Sequence, residues 1–314
     1  MSSEVVSGET KSWADTPPAN PPLRHAVSEF VENQSWLDKV ADPLQNWLLQ
    51  LFGQPGEPNR KIKDILNGTW LGHALHPVFT DVPIGSWSAT MLLDLLWLFD
   101  EDEGIARGAD ATLVLGLLGA VGSAVTGAAD WSDQIGADRR VGMMHGLLNL
   151  GITALNVGSW VSRLTGSRRT GIALSTTAYL TSLFSAYLGG ELSFAKAVGV
   201  NHVAFEGGSD DYVAVMDEKD LVEGKLTRVD VAGIPAVLLK QGSTIYAIGA
   251  TCTHMGGPLD EGTVKDGVVQ CPWHGSCFRM SDGAVVTGPA VYAEANFALR
   301  VRNGKIELRR LDHA

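Results

Sequence analysis

The sequence predicts two folds in one chain: an all-α four-helix transmembrane bundle, then a small all-β antiparallel domain. Three observations carry this. Charged residues are sparse, 19 % against 45 % hydrophobic, and the deficit gathers in residues 84–99, 110–129, 141–162 and 170–190. After Gly199 the pattern changes to short alternating runs separated by turn residues. In that second part stand Cys252-Thr-His254 and, sixteen residues further on, Cys271-Pro-Trp-His274-Gly, which puts two thiols and two imidazoles on separate loops.

The totals agree with a divided chain. The length, 314 residues, suits about two domains of ~100–200 residues each. A net charge of −11 argues against a nucleic-acid partner. Of three cysteines, two fall in the paired motifs and Cys277 is left over, so no structural disulfide is called for. The opening stretch MSSEVVSGETKSWADTPPANPP lacks a basic segment followed by an apolar one, so no cleavable signal is predicted and membrane insertion must use internal segments.

Residues 1–22, polar and Pro-rich, are read as a disordered tail. Residues 23–59 form an amphipathic helical segment: Val27, Phe30, Val31, Leu37, Val40, Leu44, Trp47, Leu48 and Leu51 recur near helical spacing. Asp42-Pro43 is expected to break the run and start a second helix. The segment suits either the membrane interface, with Trp36 and Trp47 at its edge, or packing on the rest of the protein.

Residues 60–203 hold four apolar segments, Pro83–Phe99, Thr112–Ala129, Val141–Val161 and Thr170–Leu188, close to the ~20 residues that cross a bilayer core. Pro83 suits the first turn of a helix. Gly116, Gly119, Gly122 and Gly127, then Gly146, Gly151 and Gly158, weaken helices in water but let them approach closely in lipid. Four spans place both ends on one side. That side holds Arg60, Lys61, Lys63, Arg139, Arg140 and Lys196, and the other Arg107, Arg163, Arg168 and Arg169, so the count puts both ends in the cytoplasm of an inner (cell) membrane.

Residues 204–314 read as strands at Tyr212–Met216, Leu226–Val231, Ala236–Lys240, Thr244–Ala250, Val268–Cys271, Ala284–Val286, Phe297–Val301 and Lys305–Arg309. Lys-Asp-Gly, Ser-Asp-Gly and Arg-Asn-Gly turns separate several of them. Both ligand motifs fall between strands. Two Cys and two His in this arrangement are the ligand set of a 2Fe–2S cluster with both Cys on one iron and both His on the other. Zinc also accepts two Cys and two His, although its finger spacings differ.

Residues 252–288, CTHMGGPLDEGTVKDGVVQCPWHGSCFRMSDGAVVTG, closely resemble Rieske ferredoxin-type domains, and the resemblance extends over about 211–311. It implies that Cys252, His254, Cys271 and His274 are the cluster ligands, with Ser276 a donor to a bridging sulfide. It also implies that the His-held iron changes oxidation state near the surface. Gly257 and Trp273 occupy the positions of two further Cys in the high-potential proteins of that family, and Phe278 that of a Tyr, so the disulfide and one hydrogen bond are missing. Fewer donors to sulfur stabilise the reduced cluster less, which predicts a potential near the low end of the roughly −150 to +300 mV range.

Polar residues recur inside the apolar segments: Ser86, Thr90 and Asp94 on one helix face, His145, Asn149 and Asn156 on another, with Thr126 and Asp130 ending the second span. They read as hydrogen-bonded glue between helices. A sharper reading takes His73, His76 and His145, with Asp81 nearby, as ligands for haem b or a metal, and lets His202 face the bundle. Residues 60–203 are similar to an uncharacterised bacterial four-helix membrane domain family through GHALHPVFTDVPIG, His145-Gly-Leu-Leu-Asn149 and LGGELSFAKAVGV. That resemblance implies a membrane bundle and assigns no catalytic residue.

The expected function is one-electron transfer at a membrane, to or from a redox partner protein, a haem or a quinone. A redox sensor, or a component of a Rieske-type oxygenase system, is the alternative. A stand-alone oxygenase would need a further non-haem iron on two His and a carboxylate. Only His25, His73, His76, His145, His202 and His313 remain for it, with no catalytic domain to hold them.

Overall fold

The computed structural model describes residues 23–53, 57 and 59–311, with side chains from residue 27. The tail predicted over 1–22 lies outside the described residues. The described chain is a helical half of seven α-helices followed by ten short β-strands.

Helix α1 (Leu23–Glu32) and α2 (Asp38–Phe52) are separated by a bend at Asn33–Gln34 and a 3-10 turn, Ser35–Leu37. The break predicted at Asp42-Pro43 is not there. Pro43 sits inside α2 and forfeits one helical hydrogen bond, while Asp38 is tied to Arg139 and Arg140 of the bundle. One face of this pair packs down: Val31, Leu37, Ala41, Leu48 and Phe52 share a core with Ala129, Trp131, Val141, Met143, Leu188 and Leu192. The opposite face leaves Val40, Leu44, Trp47 and Leu51 exposed.

A short helix, α3 (Arg60–Asn67), leads into four long ones: α4 (His76–Asp100), α5 (Glu103–Trp131), α6 (Gly136–Leu164) and α7 (Arg168–Gly190). Neighbours α4/α5, α5/α6, α6/α7 and α7/α4 are in contact. The helix predicted to open at Pro83 starts about two turns earlier, at His76. Pro77 takes the first-turn position, and Pro83 lies inside α4. Small residues on α5 form the bed for α4: Trp87 covers Gly116, and a Cβ at Gly119 would fall 2.6 Å from Val82.

By length and composition two helices, α4 and α5, are apolar enough to cross a membrane, with mean hydropathies of 1.4 and 1.7. Of the four expected spans, these two meet that test. Helix α6 carries Asp138, Arg139, Arg140 and Arg163, and α7 opens on two arginines and is rich in Ser and Thr. Arg163, expected in a loop, is buried in the core and donates to both oxygens of Asp94. Ser175 and Asp110 complete that network.

The β domain holds three antiparallel sheets, in the orders β1-β10-β9, β2-β3-β4 and β5-β6-β7-β8. These strands are β1 (Val213–Asp217), β2 (Thr227–Val231), β3 (Ile234–Gln241), β4 (Thr244–Gly249), β5 (Thr263–Lys265), β6 (Val268–Gln270), β7 (Cys277–Arg279), β8 (Val285–Thr287), β9 (Phe297–Arg302) and β10 (Lys305–Arg310). Strands β5 and β7, three residues each, escape the alternation pattern. Strand β3 is buried on both faces, which explains its unbroken apolar run. Val237 and Leu239 enter one core with Ile248, Leu259, Val269 and Phe278; Ala236 and Leu238 enter another with Phe297, Ile306 and Leu308. Cys252 and Cys271 stand at the edge of the first core.

Candidate metal centre

The two ligand loops, one between β4 and β5 and one between β6 and β7, close in the same way. The Cys252 N–H donates to the Gly257 carbonyl at 2.8 Å, and the Gly256 N–H returns to the Cys252 carbonyl at 2.9 Å. On the second loop the Cys271 N–H donates to the Ser276 carbonyl at 2.8 Å, and the Gly275 N–H to the Cys271 carbonyl at 3.2 Å. Gly256 and Gly275 take φ of 73° and 76°, left-handed values that glycine adopts without a Cβ penalty. Two equivalent turns thus present two equivalent Cys–His pairs.

All three cysteines are free and buried. The Cys252 and Cys271 thiols share a hydrogen bond. That bond lowers Cys271 to about 6; burial opposes it, and the Trp273 and His274 backbone amides add to the lowering. The same bond, then burial, pushes Cys252 up, against the His254 amide. Amide donors aimed at both sulfurs stabilise thiolates, the form that binds iron.

The two imidazoles meet edge to face, with centroids 4.9 Å apart. His254 Nδ1 is buried without a hydrogen-bond partner. A buried polar atom left unsatisfied costs about 1–3 kcal/mol, and a metal bond removes that cost. Burial first, then His274, His202, Lys63 and Arg60, lowers His254 to about 3. Burial also lowers His274. Both rings are therefore neutral, as metal ligation requires.

Among the described residues no group of three or more His, Cys, Asp or Glu converges on one ion position. The site is arranged as two thiols and two imidazoles. Tetrahedral zinc needs all four at one point, whereas each iron of a 2Fe–2S cluster takes two. The residues present fit the cluster.

The surrounding positions explain the departures noted in the sequence. A Cβ at Gly257 would stand 2.8 Å from Cys271 Sγ and 3.2 Å from the Trp273 ring, so only glycine fits. Phe278 is fully buried in the core beside the site. The Ser276 Oγ accepts the Ala290 N–H at 3.0 Å, which leaves the hydroxyl proton free to be donated. Cys277 lies buried behind the site, and its thiol meets the Gly275 carbonyl at 3.3 Å.

The helical half packs against the loops of the site. Gly288, in the loop behind the site, is held by α3: its N–H donates to Asp64 Oδ1 at 2.9 Å and its carbonyl accepts from Arg60. The His202 N–H donates to the Thr253 carbonyl at 3.1 Å, between Cys252 and His254. Thr253 also donates its N–H to Glu294 at 2.8 Å. Burial pushes the Glu294 carboxyl well up. Arg60, Lys63, Asp64, Asp133 and Glu294 were not among the site residues read from the sequence. No motif marks them, because they reach the site only through tertiary packing.

His73, His76 and His145 belong to the helical half. His73 is exposed and lies 3.0 Å from the Ala74 carbonyl through Nδ1. His76 Nδ1 lies 3.3 Å from Thr126 Oγ1. His145 has both ring nitrogens engaged, Nδ1 by Ser185 and Nε2 by Asn149 at 3.0 Å. The polar stripes do lie inside the bundle: Ser86, Thr90, Asp94 and Thr126 are buried, and Thr90 meets Thr112 at 2.9 Å.

Comparison with known proteins places two family models on the chain: "Rieske [2Fe-2S] domain" over residues 211–299, and "Predicted membrane protein (DUF2231)" over residues 72–202. Apoptosis-inducing factor 3 of Homo sapiens is 33 % identical over 96 residues, 31 % of this chain and 16 % of that protein. This chain thus spans about a sixth of that relative's length. Ferredoxin CarAc of Metapseudomonas resinovorans is 30 % identical over 96 residues, 30 % of this chain and 90 % of the ferredoxin. Among solved structures, the ferredoxin of carbazole 1,9a-dioxygenase from Nocardioides aromaticivorans IC177 aligns at 27 % identity and a TM-score of 0.30, covering 31 % of this chain and 96 % of that one.

Proposed function

We propose that this chain, which belongs to the Rieske [2Fe–2S] family and carries a DUF2231 helical domain, passes single electrons at a membrane to or from a redox partner protein. The observation that carries the reading is the pair of equivalent loops that bring Cys252 beside Cys271 and His254 beside His274. The bound cluster supplies a one-electron couple. The chain's own residues do the rest. Cys252 and Cys271 would hold one iron as thiolates, and His254 and His274 would hold the other as neutral rings. Leu259, Phe278 and Met280 exclude water from behind. Ser276 offers one hydroxyl donor, and with no tyrosine hydroxyl at Phe278 the potential falls low in the Rieske range.

Polarity of the helices supports membrane tethering. Leu92, Leu96, Leu118 and Val121 of α4 and α5 are exposed, while Ser86, Thr90, Asp94 and Thr126 are buried. That is the reverse of a water-facing helix. We place α4 to α7 in an inner membrane as a multi-pass bundle. The β domain lies on the cytoplasmic side with Arg60, Lys61, Lys63, Arg139, Arg140 and Lys196.

An oxygenase-system component is the second reading. It is favoured by the likeness to the Anthranilate 1,2-dioxygenase ferredoxin subunit of Burkholderia cepacia, 28 % identical over 74 residues. Oxygen-dependent turnover with a supplied terminal oxygenase selects it. For the main reading, Cys252→Ser and His274→Ala abolish the EPR signal of the reduced protein and leave the chain in the membrane fraction. A retained signal contradicts the ligand assignment, and loss from the membrane contradicts the tether.

A further inference from the structure

Helix α3 meets the β domain at the ligand side. Arg60 and Asp64 grip both backbone groups of Gly288, and Ser276, next to the ligand loop, is bonded to Ala290 just beyond. One turn along, Lys63 is fully buried, and its ammonium pairs with Asp133, beyond the end of α5, at 2.5 Å. The second carboxylate oxygen of Asp133 is buried without a partner. A pair removed from water is screened little by solvent or salt. Arg60, Lys63 and Asp64 recur at helical spacing, so the ion pair shares the α3 face that grips Gly288.

We propose that the helical half sets the electron affinity of the cluster through the buried Lys63–Asp133 pair, which lies on the α3 face docked on the Gly288 loop of the ligand site. The inference rests on the cluster reading above. Reduction adds one negative charge at the histidine-held iron. A nearby cation stabilises that charge and a nearby anion opposes it. The two members of the pair therefore pull the potential in opposite directions, and α3 acts as a positioning element for a centre it does not ligate. Lys63 and Asp133 lie outside residues 211–299, the part that matches the Rieske model, so the fused helices change the electron affinity of the site.

The test is an EPR-monitored redox titration of the full chain in detergent, at one fixed pH. Lys63→Met lowers the midpoint, so that at a fixed ambient potential roughly three- to tenfold fewer clusters are reduced. Asp133→Asn raises it by a similar factor. Glu101→Gln, at the far end of the bundle where it pairs with Arg169, leaves it unchanged. Lys63→Gln replaces Lys63→Met if the latter does not accumulate. Opposite shifts of the two variants, with the signal shape retained, support the inference. No shift, or shifts of the same sign, overturn it while leaving the cluster reading intact. Absence of a Rieske signal from the unaltered chain removes the cluster reading first.

Discussion

The Gly288 amide donates to Asp64 at 2.9 Å, and this one bond joins the loop behind the ligand site to helix α3. It is reinforced by Arg60, which donates to the Gly288 carbonyl and lies 3.5 Å from Asp64. The approach is close on the receiving side: a Cβ at Gly288 would fall 3.2 Å from Thr69 and 3.3 Å from Asp64. The two halves of the chain are thus in contact at the loop behind the ligand site.

Asp64→Ala should loosen that contact without unfolding the β domain. It removes a charge-assisted hydrogen bond worth about 1.5–3 kcal/mol and leaves the Gly288 amide without its acceptor. Amide hydrogen exchange should quicken at 286–290 and around Thr253, while strand β3, buried on both faces, keeps its protection. Unchanged exchange at 286–290 would show that the contact contributes nothing in solution.

Gly257→Ala should cost the cluster. The added methyl would sit 2.8 Å from the Cys271 sulfur, and the neighbouring Trp273 ring leaves it no retreat. Iron and acid-labile sulfide per purified chain should fall several-fold, with the far-UV circular dichroism unchanged. Full occupancy would mean that the loop adjusts, and that glycine is a convenience at this position.

The Asp94–Arg163 pair is buried on both sides, with 1 % of each side chain exposed. Arg163→Met leaves Asp94 uncompensated and should destabilise the helical half by about 3–5 kcal/mol, whereas Asp94→Leu with Arg163→Met restores much of that loss. Thermal unfolding in detergent measures both. Equal destabilisation by the single and the double variant would show that the pair serves packing alone.

Much of this was legible in the sequence. Eight of ten strands and all four long helices lie where alternation and apolar runs put them, and the ligand motifs fall on inter-strand loops. Two classes of residue were not legible. Pro43 and Pro83 sit inside helices because tertiary packing outweighs a lost hydrogen bond. Arg163 is in the core because Asp94, on another helix, compensates its charge, and no local pattern reports that pairing. The same holds at the site. Cys252, His254, Cys271 and His274 are a motif, but Arg60, Lys63, Asp64 and Asp133 join them only when the chain folds back.

Asp38 ties α2 to the bundle through Arg140 first and Arg139 second, and these bonds lower its carboxyl from 3.8 to about 2. A carboxylate with a depressed value stabilises the fold above its unfolded value, and that contribution disappears as pH falls through the folded one. Asp38→Asn should therefore weaken protection of α1 and α2 at neutral pH. The difference from the unaltered chain should shrink below about pH 4 and vanish near 2. Hydrogen exchange or limited proteolysis across that window checks it, and a pH-independent difference would contradict the ion-pair origin.

The most direct measurement is pulsed EPR on the reduced full-length protein purified from membranes, with iron and sulfide counted on the same sample. A Rieske centre on Cys252, Cys271, His254 and His274 gives about two irons and two sulfides per chain, and couplings from two imidazole nitrogens. Those couplings should be lost in His274→Ala. Stoichiometric zinc with no paramagnetic signal, or a reduced cluster without nitrogen coupling, would contradict it.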